Sequence, residues 1–136
     1  MNLLLEIITP EKVVYKDEVA EIVVPTVNGE IAILPNHVNL LTQIIPGELI
    51  VKKGSSNQFL AVTDGFLEVD GNRVNIVTNY AIKAENIEIA RAQEAKKRAE
   101  KIMSEKSTDN ELRIAQGELI KSILEIKIAT KHKRKT

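Results

Sequence analysis

The apolar residues of this chain change period once, and that change limits what it can fold into. From Leu3 to about Ile82 they come in short runs, "LLLEIIT", "KVVY", "EVAEIVV" and "EIAILP", rich in Val and Ile and cut by turn residues. "LIVKKGSSNQFLAV" sets a Gly-Ser-Ser-Asn turn between two apolar stretches. "GFLEVDGNRVNIVT" reads as a hairpin with Asp70-Gly71 at its tip, because these residues tolerate the positive φ of tight turns. Many short strands at close intervals predict a sandwich or a barrel. A parallel α/β sheet would need crossover helices, and no helical period lies between these strands.

After Asn86 the spacing becomes helical. Ala92, Ala95, Ala99 and Ile102 form one narrow stripe among Arg, Lys, Gln and Glu, with Asn86 as the expected N-cap and Glu88 in the first turn. "SEKSTDNE" interrupts the stripe. Thr108 and Glu111 then have the spacing of a capping box, opening a second helix with Leu112, Ala115, Leu119, Ile123 and Ile126 on one face. So short a connection makes an antiparallel hairpin, giving a β domain over residues 1–84 and a helical hairpin over 85–136. The second helix also carries Ile120, Leu124 and Ile128, a row that the hairpin alone does not cover. Packing on the β domain is the reading the pattern favours, and docking on other subunits is the functional one.

Composition removes several function classes. Lysine plus arginine equals aspartate plus glutamate at 19 each, so the chain lacks the basic excess that nucleic-acid binding needs. It contains no cysteine, which excludes disulfides, thiolate metal sites and cysteine nucleophiles. No apolar run is long enough to cross a bilayer, and "MNLLLEIITPEK" is not expected to be a signal peptide.

Catalytic machinery is equally hard to find. His37, in "GEIAILPNHVNLLT", sits where a strand opens into a loop, the usual place to look for a general base, but the stretch has no serine and the chain no GxSxG. The other histidine, His132, lies in the basic run "KHKRKT", so no multi-histidine metal site is expected. The glycines are dispersed turn residues, without GxGxxG or GxxxxGK. The residues alone describe a β domain plus a helical hairpin built for binding or structure.

Several segments in register then carry a resemblance. "GEIAILPNHVNLLTQIIPGEL", "FLAVTDGFLEV", "NRVNIVTNYAIKAENIE" and "ARAQEAKKRAEK" match, in order and spacing, the epsilon subunit of the rotary F-type ATP synthase. Ala32 stands where that pattern usually has glycine, and Asn39 where it usually has proline. The resemblance implies an N-terminal ten-stranded β-sandwich, a C-terminal two-helix hairpin and a non-catalytic place in the central stalk. The sandwich would hold the gamma subunit and rest on the c-ring, with Glu30 and His37 near the ring. The hairpin would inhibit ATP hydrolysis through Arg113, Leu119, Ile120, Lys121, Leu124, Lys127 and the terminal basic run, meeting gamma or the alpha and beta subunits. The implied location is the cytoplasmic face of a bacterial inner membrane, or the stromal face of a thylakoid, reached only through the complex.

Some members of the family bind ATP at an I/L-D-x-x-R-A motif, against which "IEIARA", Ile87 to Ala92, has Glu88 for Asp. Arg91 and Arg98 would face phosphates. The longer carboxylate, and Lys121 in place of a bidentate arginine, imply weak binding or none. A nucleotide-sensing module and an unrelated β-sandwich adaptor are the competing readings.

Overall fold

The structure, a computed structural model, describes residues 2–132. Residues 133–136 of the terminal basic run lie outside them. The chain divides into two compact units, residues 1–83 and 84–136.

The first unit holds ten strands: β1 (Leu3–Ile8), β2 (Val13–Val19), β3 (Glu21–Thr26), β4 (Gly29–Ile33), β5 (Leu40–Ile44), β6 (Gly47–Lys53), β7 (Ser56–Val62), β8 (Gly65–Asp70), β9 (Arg73–Thr78) and β10 (Ala81–Lys83). One layer runs β4-β3-β6-β7-β10 and the other β5-β8-β9-β1-β2; they join where Thr26 of β3 meets Ile44 of β5. This is the sandwich alternative, open to a barrel only at that seam. Neighbouring strands pair antiparallel except β1 and β9, which run parallel with Leu5 opposite Val74 and Ile7 opposite Ile76.

Alternation explains the layers. Leu3, Leu5 and Ile7 of β1 are fully buried while the residues between them are not, and Leu67, Val69, Val74 and Ile76 fill the same core from β8 and β9. Burying each such side chain contributes about 1.5–3 kcal/mol relative to leaving it in water. Pro25 lies inside β3, opposite Glu30, where its carbonyl still accepts from the Ile45 amide at 3.1 Å. Lys53 of β6 reaches Asp17 of β2 and holds that carboxyl below its usual range, chiefly by donating a hydrogen bond to it. Both groups are open to water, so the pair adds little to stability.

Two turns differ from the sequence expectation. The β6–β7 turn is Gly54-Ser55 alone, since Ser56 and Asn57 already pair with Lys53 and Lys52. The β8–β9 tip is Gly71-Asn72 rather than Asp70-Gly71, because Asp70 still pairs with Arg73; Gly71 supplies the positive φ of 62°.

In the second unit a short 3-10 turn, η1 (Ala84–Asn86), leads to α1 (Ile89–Ser104) and α2 (Asp109–Lys131). Asn86 is not the N-cap. It ends the 3-10 turn, in which the Ile87 amide donates to the Ala84 carbonyl, and the cap position passes to Glu88 without a side-chain capping bond. The capping box of α2 is present in full: Thr108 Oγ1 accepts from the Glu111 amide at 3.1 Å, and the Glu111 carboxylate accepts from the Thr108 amide at 3.4 Å. A cap of this kind contributes about 1 kcal/mol.

Most buried positions of the two helices are small; the exception is Ile128, which the sequence pattern puts in the uncovered row and which is buried. Ala92 and Ala99 on α1 match Ala115, Ser122 and Ala129 on α2, which permits close approach of the helix backbones. The expected stripes are corrected at two places. On α1 the half-buried residue of the last turn is Met103, and Ile102 is exposed. On α2 the stripe steps through Ala115, Leu119, Ser122, Ile126 and Ala129, leaving Ile123 exposed. The buried Ser122 hydroxyl is satisfied by donating to the Glu118 carbonyl at 2.6 Å.

Candidate functional site

β4 is an edge strand: among the described residues it pairs only with β3. Its outward positions are Glu30, Ala32 and then Leu34 just beyond its end, all exposed, while Ile33 turns into the core. Glu30 stands beside the Val27-Asn28 turn, and the chain reaches His37 only past the strand's other end. Four strand steps, roughly 13 Å, therefore separate Glu30 from the start of the His37 loop. The two residues do not form one polar cluster. They mark opposite ends of one exposed edge.

The loop that follows is short and constrained. Asn36 has a φ of 67°, in the left-handed region that asparagine tolerates better than most residues. The His37 amide donates to the Leu34 carbonyl at 3.2 Å, and His37 Nδ1 lies 2.7 Å from the Val38 carbonyl oxygen. A carbonyl only accepts, so the ring carries its proton on Nδ1 and a neutral His37 presents Nε2 as an acceptor. The ring is partly exposed. In the loop and the strands that flank it, Leu34, Val38 and Leu41 are 50%, 76% and 70% exposed. Three large apolar side chains left in water within eight residues of chain offer a surface for contact.

A second apolar face lies on the outer side of β8, β9 and β1. Phe66 pairs with Val77, and Val77 with Ile8, so the three form one row across the strands. Phe66 and Val77 are both more than half exposed, and they border a groove of 420 Å³ that also includes Thr9, Gln43 and Asn79. The sequence reading missed this face. Its signal was available, since Phe66 and Val77 occupy outward positions of a hairpin whose other outward residues are polar.

On the hairpin, the residues expected to meet nucleotide do not converge. Ile87 and Ala92 are buried. The Glu88 carboxylate lies 3.6 Å from Arg91 Nε, with both side chains largely in water, and Arg98 is exposed two turns further along. The residues expected to inhibit separate into two groups. Arg113, Ile120 and Lys127 are exposed and fall seven residues apart on one face of α2, and Ile114 and Ile123 add exposed apolar surface. Leu119, Lys121 and Leu124 are half-buried. Arg113 is steadied by donating to Asn110 Oδ1 at 2.6 Å. Among the described residues no three His, Asp or Glu come together as metal ligands, and no helix is long and apolar enough to cross a membrane.

Comparison with known proteins agrees over nearly the whole chain. Residues 2–84 match the family model described as ATP synthase, Delta/Epsilon chain, beta-sandwich domain, and residues 85–130 match the ATP synthase, Delta/Epsilon chain, long alpha-helix domain. The ATP synthase epsilon chain of Dehalococcoides mccartyi is 41% identical over 134 residues, covering 98% of this chain and 96% of that one. That of Chloroflexus aggregans is 39% identical over 136 residues, covering 99% and 97%. Among solved structures, a chain of the Euglena gracilis mitochondrial ATP synthase OSCP/F1/c-ring assembly superposes with a TM-score of 0.73 at 28% identity, covering 96% of this chain and 82% of that one. A chain of the Tetrahymena thermophila mitochondrial ATP synthase central stalk and c-ring shares the fold, with a TM-score of 0.65 at 14% identity.

Proposed function

The chain belongs to the epsilon-chain family of the F-type ATP synthase, a non-catalytic subunit, and from that premise we propose that its sandwich joins the gamma subunit to the c-ring while its hairpin restrains ATP hydrolysis. The observation that carries this reading is the exposed β4 edge and loop, where Leu34 stands in water between Glu30 and His37, and Val38 and Leu41 stand in water just beyond His37. Rotation under load needs a partner that does not slip. Apolar contacts supply the affinity, and polar groups at the two ends of the edge set its register. The c-ring is the occupant proposed for this edge, and the Phe66–Val77–Ile8 face is proposed for gamma. The alpha and beta subunits would meet the outer face of α2. Placement at the cytoplasmic side of a bacterial inner membrane, held only through the complex, is part of the same proposal, and the bacterial sources of the relatives support its bacterial part.

The test is the double variant Glu30→Lys with His37→Ala, assembled into the whole complex. It should lower the protons pumped per ATP hydrolysed severalfold, while the free subunit keeps its thermal midpoint, because both side chains lie outside the core. Unchanged coupling would sink the assignment of this edge to the ring.

For nucleotide, the expected outcome is weak binding or none. Arg91 has a carboxylate beside it, and Ile87 and Ala92 are turned away from water. Isothermal calorimetry of the full chain with ATP should show no saturable heat at micromolar concentrations. A micromolar dissociation constant would overturn this and favour a nucleotide-sensing role.

A further inference from the structure

The loop that carries His37 is not held by its own strand alone. The Asn36 amide donates to Asn72 Oδ1 at 2.8 Å, and the Gly71 amide donates to Asn39 Oδ1 at 3.0 Å. Each side of this contact gives one backbone donor and one asparagine carbonyl acceptor. The β8–β9 tip is fixed in turn, because the Leu4 amide at the start of β1 donates to the Asn72 carbonyl at 2.8 Å.

We propose that Asn39 and Asn72 are positioning residues that clip the Leu34–Asn39 loop to the Gly71-Asn72 turn, so that the surface offered by Leu34 and Val38 is preformed before the ring is met. The inference rests on the reading of this loop as a ring-docking surface. A loop with two exposed apolar side chains loses conformational freedom when it docks, and a loop already fixed loses less. The clip also spreads load. Force applied at Val38 passes through two hydrogen bonds into the β8–β9 hairpin and from there to β1. Position 39 is one of the two sites where this chain departs from the usual pattern. Proline there would stiffen the backbone but offer Gly71 no side-chain acceptor. Asparagine supplies that acceptor.

The experiment uses the full chain with Asn39→Ala, Asn72→Ala and the conservative Asn39→Asp, whose carboxylate still accepts from the Gly71 amide. Amide hydrogen exchange by NMR should rise on the order of five- to tenfold at Gly71 in Asn39→Ala and at Asn36 in Asn72→Ala, the effect of losing one ordinary hydrogen bond. Asn39→Asp should restore slow exchange at Gly71, and exchange of the core amides of β1 and β9 should not move. In the assembled complex, coupled proton pumping should fall in both alanine variants and recover in Asn39→Asp. Unchanged exchange at Gly71 and Asn36 overturns the clip. Faster exchange with full coupling overturns its role in docking. In that second case Val38→Asp identifies the level of failure: coupling lost there leaves the docking surface standing without the clip, and coupling kept there removes the docking surface as well.

Discussion

A complex assembled with the chain truncated after Ala84 is expected to hydrolyse ATP severalfold faster than one carrying the full chain. All ten strands and the apolar core of the sandwich lie within residues 1–83, so removal of the hairpin leaves a unit able to fold and to join the complex. Apart from Ile128, the fully buried positions of α1 and α2 are alanines and a serine, which bury little apolar area compared with leucine or isoleucine. α2 meanwhile leaves Ile114, Ile120 and Ile123 in water, with Arg113 and Lys127 beside them. A helix whose buried positions are mostly small residues, and which carries an uncovered apolar and cationic face, is suited to leave its partner for a larger surface. Steady-state hydrolysis by both complexes, measured across salt and nucleotide concentrations, checks this. Salt matters because exposed charges are screened beyond a Debye length of about 8 Å at physiological ionic strength. Equal rates under all conditions would mean that the hairpin does not inhibit.

Gly65→Ala should be the most damaging single methyl group in the sandwich. A β-carbon at Gly65 would fall 2.1 Å from the Val77 carbonyl oxygen and 2.7 Å from Thr78 Cα, both backbone atoms of the neighbouring strand. That strand cannot move away cheaply. Thr78 is buried, and its hydroxyl lies 3.0 Å and 3.1 Å from the Thr63 and Asp64 carbonyls, tying β9 to the chain just before β8. A loss of about 3 kcal/mol is expected, at the upper end for overpacking, since relief of the clash also breaks the ladder. Urea denaturation of the isolated full chain measures it. A loss under 1 kcal/mol would show that β8 and β9 separate more readily than this geometry allows.

What the sequence made legible was local. The Thr108–Glu111 box was readable because capping is decided within four residues, and the strands were readable because one buried face imposes alternation on each. Asn86 was misplaced as a cap because a three-residue helical turn, invisible to hydrophobic period, moves the helix start to Ile89. Ile123 was assigned to the buried stripe on hydropathy, whereas the geometry of close helices selects the small Ser122 beside it. The contacts between Asn36 and Asn72, and between Gly71 and Asn39, join residues 36 and 32 positions apart, and no local pattern announces them. Family resemblance, rather than chemistry, singled out Glu30 and His37. The structure adds that they stand at two ends of an edge, with the apolar residues between and beyond them.

The parallel pairing of β1 with β9 has a consequence for synthesis. β2 can pair with β1 almost as soon as both have left the ribosome, but the other side of β1 stays open until residues 73–77 emerge. At about 5–20 residues per second, the roughly 70 intervening residues take several seconds to be made. Through that interval the β9-facing edge of β1 lacks its ladder partner even though most of the opposite layer, β3, β4, β6 and β7, has been made, and closing so long a loop is the slow kind of step. β1 thus completes its pairing long after it is made, and the sandwich cannot finish while the end of β9 is still in the exit tunnel.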